Sequence, residues 1–266
     1  MVRYYVKKPH RLEVINSIEE LADDAKIKNI IWIDMLTPTI EEIKLVEQLF
    51  SFKFPTKAES EEIEISSRYW EENDRIEVNT YFLVNYEESP YNETVSFIMQ
   101  NDLLISIRYK SLKSFDEFVN RLFISHKELN DGFDIFIKIM DIRIDADADT
   151  IENLTKDINK VRRQVFTDYT SEDEEMLESI SKLEDLNMKI RENVTDKQRI
   201  LTSLLKSPKF PEYLKNEITI MLKDVRSLIE HTDFNFERLD YLQSIFLGAL
   251  SIEQNKAIKI FTIVNV

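Results

Sequence analysis

From Pro211 to Val266 the chain contains no second proline and one glycine, Gly248. Over that stretch apolar residues recur at alternating steps of three and four: Leu222, Val225, Ile229, Phe236, Leu239, Phe246, Leu250, Ala257 and Ile260. Thr232, Gln243 and Glu253 fill the same series with polar groups. That spacing is one face of a helix built for a packed seam. At 1.5 Å per residue the segment would be a rod of roughly 80 Å. Such a rod does not fit inside a small globule, so it has to lie against copies of itself or against something extended.

The rod changes character at its end. Ala257–Val266 reads A-I-K-I-F-T-I-V-N-V with a single charge. A membrane span takes about 20 apolar residues, so this run is the length of half a span. A second line follows it at steps of four and three: Ser251, Asn255, Ile258, Thr262 and Asn265. A mostly polar line on an apolar helix entering a membrane points to a wall facing water or ions. The competing expectation is a soluble coiled-coil scaffold whose tail tucks into a core.

Composition narrows the function classes. There are 266 residues with a formal net charge of -15, which excludes nucleic acid as a partner and favours cations. There is no cysteine, so disulfides, thiolate metal sites and thiol catalysis are out. Two glycines leave no glycine-rich phosphate loop. His10, His126 and His231 are scattered without nearby ligand partners, and no enzyme is expected. The N-terminus carries no cleavable signal pattern.

The fold class expected is α+β: a mixed β-sheet covered by helices in an α/β/α layer, a long helical hairpin, then a very long stalk helix. The divisions fall at 1–130, 131–210 and 211–266. Strands are expected at 3–7, 29–34, 66–72, 75–86, 94–99 and 103–108. The last two are joined by a tight turn at Gln100-Asn101-Asp102. A short helix that Ser17 caps, with Glu20 three residues on, is expected between the first two strands, and others at 39–50, 55–63 and 113–123. Long helices follow at 133–166 and 171–205, the second capped by Ser171 with Glu174.

Two carboxylate groupings stand out. Asp145, Asp147 and Asp149 alternate in D-A-D-A-D, but a calcium loop starting at Asp145 would need glycine where Thr150 stands and glutamate where Lys156 stands. They read as a solvated helix face. Glu59, Glu61, Glu62 and Glu64 crowd four carboxylates into six residues, an arrangement that hard divalent cations can relieve.

The run L-S-I-E-Q-N-K-A-I-K-I-F-T-I-V (Leu250–Val264) resembles the end of the stalk and the start of the first transmembrane helix in CorA magnesium transporters, most closely their proteobacterial branch. Glu62–Arg68 with Tyr69-Trp70-Glu71, Asn92–Phe97 with the turn after it, and Leu222–Leu228 are similar in the same order. The resemblance implies a homopentamer on the cytoplasmic face of the bacterial inner membrane, handling Mg2+ and related cations such as Co2+ or Ni2+. It implies a regulatory metal site between subunits, with Glu61 or Glu62 facing Asp224. It places Asn255, Ile258, Thr262 and Asn265 along the pore. The family's Gly-Met-Asn signature and second transmembrane helix are absent, which implies a cytoplasmic domain cut within its first span. A zinc-transporting relative of the same architecture is the alternative.

Overall fold

A computed structural model of the chain describes residues 1–8, 11–17, 27–50, 53–54, 68–84, 89–124, 129–167 and 173–264. The expected short helix after Ser17, the one at 55–63 and the Ser171 cap lie outside these residues. The first half forms one seven-stranded sheet in the order β2-β1-β3-β7-β6-β5-β4. Its strands are β1 (Val2–Lys8), β2 (Arg11–Ile15), β3 (Ile30–Leu36), β4 (Tyr69–Glu72), β5 (Arg75–Val84), β6 (Tyr91–Gln100) and β7 (Leu103–Arg108). Only the β3–β7 pairing is parallel, so the sheet is mixed, as expected. No strand was expected at Arg11–Ile15. It is a five-residue edge strand held by pairing to β1, with Tyr4 opposite Ile15.

Among the described residues the sheet is accompanied by α1 (Ile40–Phe50), α2 (Lys113–Ile124), α3 (Gly132–Thr167), α4 (Asp173–Lys206) and α5 (Lys215–Val264). A 3-10 turn, Glu212–Leu214, leads into α5. Thr39 starts α1 with a reciprocal cap: the Glu42 amide donates to Thr39 Oγ1 at 3.2 Å, and the Thr39 amide donates to Glu42 Oε2 at 2.9 Å. The 50 residues of α5 make a rod of about 75 Å.

Strand alternation gives the sheet two apolar faces. One carries Trp32, Ile76, Val78, Phe82, Phe97 and Leu104 against Phe115 and Phe118 of α2 and Phe136 of α3. The other carries Ile33, Met35, Ile98, Ile105 and Ile107 beneath Val46 of α1. On the first face, the parallel pair β3–β7 sets Asp34 opposite Ser106. Arg108 grips Asp34 with two hydrogen bonds, 2.7 and 3.1 Å, and Ser106 donates to it at 2.9 Å.

The β6–β7 turn fixes where the helical half begins. Asn101 (φ 47°) and Asp102 (φ 67°) both sit in the left-handed region, as a two-residue hairpin requires. The Asp102 carbonyl then accepts the Gly132 amide at 2.6 Å. The α3 N-terminus approaches β7 so closely that a Cβ on Gly132 would lie 2.3 Å from the Leu104 nitrogen.

The alternating aspartates do not behave as one solvated face. Asp145 and Asp149 are exposed, but Asp147 is fully buried. At 100° per residue Asp147 points away from both neighbours, into the sheet–helix interface. There it pairs with Arg143, one turn earlier, and with Lys197 of α4 at 3.3 Å. Lys197 is itself fully buried, donates to the Tyr81 carbonyl at 2.8 Å, and also bonds Asn193. Burial pulls its pKa down to about 8, against the pull of Asp147 and with help from Arg143; Asp196 also opposes the fall.

Two predictions follow from these contacts. Gly132→Ala, forced into backbone, should cost about 2 kcal/mol or more, read as a drop of several degrees in melting temperature. Lys197 should make stability rise with pH. Below about 8 both folded and unfolded chains carry its charge, so the cost of burying it is fully present. Between about 8 and the ordinary 10.5 the folded chain has released a proton that the unfolded chain still holds, so folding is favoured as pH rises. Tyr4 and Tyr5, pushed up to about 12 chiefly by burial, reverse the trend above 10, where only the unfolded chain ionises them. Urea midpoints should climb from pH 8 to about 9.5, and the climb should vanish in Lys197→Met.

Candidate functional site

The candidate regulatory and pore residues fall in three places. Glu61, Glu62 and Asn265 lie outside the described residues. Asp224 is exposed on α5, between the buried Leu222 and Val225, which turn inward. Asn255, Ile258 and Thr262 are exposed near the C-terminal end of α5. Of the proposed metal ligands, Asp224 is the one among the described residues.

Asp224 has acidic company, of which sequence reasoning singled out Asp145 and Asp149 but not Asp141 or Glu217. Asp141, Asp145 and Asp149 recur every four residues on α3, one carboxylate per turn along one face. Glu217 and Asp224 stand seven residues apart on α5, which again is one face. Burial raises the Asp141 carboxyl above the ordinary carboxylate range, and Glu217 adds to the rise. Lys138 and Arg121 oppose it, and Asp224 adds a further increment. Asp145 is raised in the same way, first by burial and then by Asp141, with Asp149 and Asp224 contributing and Arg121 opposing. These five carboxylates thus share one negative region between α3 and α5, with Arg121 of α2 facing it. The i, i+4, i+8 spacing of the three aspartates was the available signal.

Among the described residues no group of three or more His, Asp or Glu side chains is close enough to hold a metal ion. What the described face offers is concentrated negative potential rather than a chelate. Such a field raises the local concentration of divalent cations without selecting one.

The α5 tail has a different chemistry. Asn255 Nδ2 donates to the Ser251 carbonyl at 2.8 Å, and Thr262 Oγ1 donates to the Ile258 carbonyl at 2.8 Å. Both polar side chains fold back onto their own helix, and with Ile258 they lie within one narrow band of its surface. Ile252, Ile258 and Ile260 are each about three-fifths exposed, so nothing in the single chain covers them. Among the described residues no helix is long and apolar enough to cross a membrane.

Comparison with known proteins bears on the chain as a whole. The family described as CorA-like Mg2+ transporter protein matches residues 28–266. The magnesium transport protein CorA of Wolinella succinogenes is 45% identical over 243 residues, covering 90% of this chain and 75% of its own. The magnesium transport protein CorA of Campylobacter jejuni is 40% identical, covering 100% of this chain and 84% of its own. In three dimensions the chain superposes on the complete CorA magnesium transporter of Methanocaldococcus jannaschii with a TM-score of 0.80, covering 99% of this chain and 82% of that one. At 15% identity that last likeness is one of fold. With a family match across most of its length and relatives at this identity, the chain belongs to the CorA-like Mg2+ transporter family.

Proposed function

We propose that this chain is the cytoplasmic, cation-sensing part of a CorA-type Mg2+ channel, assembled as a homopentamer at the inner face of a bacterial inner membrane. The observation that carries the sensing role is the acidic region shared by Asp141, Asp145, Asp149, Glu217 and Asp224. Asp224 is one of the residues the family resemblance assigns to regulation, paired with Glu61 or Glu62 of a neighbouring subunit. Carboxylates from two subunits repel. A bound divalent ion bridges them and holds the ring closed, and its loss at low Mg2+ loosens the ring. Co2+ and Ni2+ can occupy the same oxygen ligands, and selection among these ions rests on geometry and availability rather than on raw affinity.

An exposed stripe on the stalk supports assembly into a ring, and the layout of the fold supports the three-part division. Ile220, Phe234 and Tyr241 recur on α5 at multiples of seven residues and are each half or more exposed in the single chain. They give the stalk an apolar stripe with no partner of its own. The residues before 131 supply the sheet, those from 131 to 210 the antiparallel helices, and those from 211 the stalk. In this reading Asn255, Ile258, Thr262 and Asn265 line the central axis.

Mg2+ titrated from micromolar to tens of millimolar should raise the melting temperature by several degrees, because an ion that binds only the assembled folded state stabilises it by mass action. Glu62→Ala combined with Asp224→Ala should abolish most of that rise. No rise, or a rise indifferent to the double substitution, removes the sensing role. Stronger stabilisation by Zn2+ than by Mg2+ would favour the zinc-transporting alternative.

Neutralising part of the acidic region should act in the opposite sense without metal. Asp141→Asn with Asp145→Asn should raise the metal-free melting temperature at pH 7 by about 2–4 °C, since both carboxyls are held in an unfavourable charged state there. The same pair should shrink the Mg2+ increment.

A further inference from the structure

The middle of α4 makes polar contacts in two opposite directions. Toward α5, Asn187 Nδ2 donates to the Thr232 carbonyl at 2.9 Å, and Arg191 bonds Thr232 Oγ1 and pairs with Asp233. Toward the sheet, Asp196 Oδ2 accepts from Thr80 Oγ1 at 2.7 Å and from the Tyr81 amide at 3.0 Å. Lys197 donates to the Tyr81 carbonyl, and Asn193 Nδ2 donates to Asn92 Oδ1 at 3.1 Å. Asn92 in turn donates to the Lys189 carbonyl at 3.0 Å. Asn187 and Asp196 are nine residues apart, which is half a revolution of the helix. Asn187, Asn193, Lys197, Thr80 and Thr232 are all fully buried.

We infer that the turns of α4 from Asn187 to Lys197 are a two-sided polar joint that fastens the β5–β6 side of the sheet to the stalk helix α5. Leu-on-Ile contacts tolerate sliding, because one apolar neighbour replaces another. Buried hydrogen bonds do not, because a slip leaves a desolvated donor or acceptor unpaired. Moving α4 against β5 would strip the Asp196 carboxylate of both its β5 donors and Lys197 of the Tyr81 carbonyl. Moving it against α5 would strand Asn187. A displacement imposed at β5 or β6 is therefore delivered to α5 through α4 rather than absorbed between them. The joint stands independently of whether a metal ion supplies that displacement.

The test is native-state hydrogen exchange on the full 266-residue chain. Thr80→Val removes a sheet-side bond and touches no residue of α5. It should speed exchange of the α5 amides from Thr232 to Asp240 by about tenfold. Val46→Ala, beneath α1 on the other face of the sheet, is the control, with urea used to match global stability. It should leave those amides unchanged. Should Thr80→Val fail to fold, Asn92→Ala at a half-buried position carries the same expectation. In Asn187→Leu, which keeps the helix interface apolar but cuts the α5 side, the sheet-side variant should no longer reach α5. Faster exchange confined to β5 and α4, or equal in the Val46→Ala control, overturns the inference. So does an effect on α5 that survives Asn187→Leu.

Discussion

A carboxylate with no access to water organises the junction between sheet and helices. Asp147 is fully buried, and its partners are Arg143 on the same helix and Lys197 on the next. Removing one partner of such a set costs about 3–5 kcal/mol, because the charge left behind is neither solvated nor paired. That penalty fixes the rotation of α3 about its own axis. With Asp147 turned to the sheet, Ile151, Leu154, Ile158, Val161 and Val165 fall on the side that α4 and α5 cover. Lys197 likewise fixes α4, and α5 then packs along the two helices already placed. The set specifies an arrangement more than it adds net stability, since well-packed apolar residues of similar volume would be about as favourable there.

The same logic explains which parts of the fold were legible in the sequence. Elements defined by their own periodicity were readable: the apolar run that became β3, the Asn101-Asp102 hairpin, and the three-four steps of the long helices. Each of these is decided by local chemistry or by one buried face. β2 was not readable, because five edge residues owe their conformation to pairing with β1 rather than to their own pattern. Asp147 was misread because alternation along a sequence resembles a charged surface unless it is wound at 100° per residue. Lys197 sits in E-N-V-T-D-K, a stretch of polar residues whose inward face is polar as well, so no hydrophobic pattern announces it.

For the candidate site the division is similar. Asp224 was singled out through family resemblance, and its setting came only from the packing of α3 on α5. Asp141 and Glu217 matter because two helices meet, and no motif within either helix records that meeting. The polar line at the end of α5 was readable, since four residues on one helix face need no tertiary information. Asn255, Ile258 and Thr262 are exposed in the single chain, and the bonds of Asn255 and Thr262 to the backbone were not foreseeable from spacing.

Those backbone bonds bear on what the line could face in the proposed pore. A threonine hydroxyl has one hydrogen and two lone pairs. Thr262 commits its hydrogen to the Ile258 carbonyl, so what it turns outward is acceptor only. Asn255 commits one amide N–H to the Ser251 carbonyl, which leaves its Oδ1 free to accept. Asn255 Oδ1 and the Thr262 hydroxyl oxygen can each accept from the water shell of a cation, whose hydrogens point outward, while Asn255 keeps its second N–H as a donor. The withdrawn donors also lower the polarity that the helix presents, which eases its entry into an apolar medium. One local arrangement, side chain to the carbonyl four residues back, serves both requirements without a charged side chain in the line.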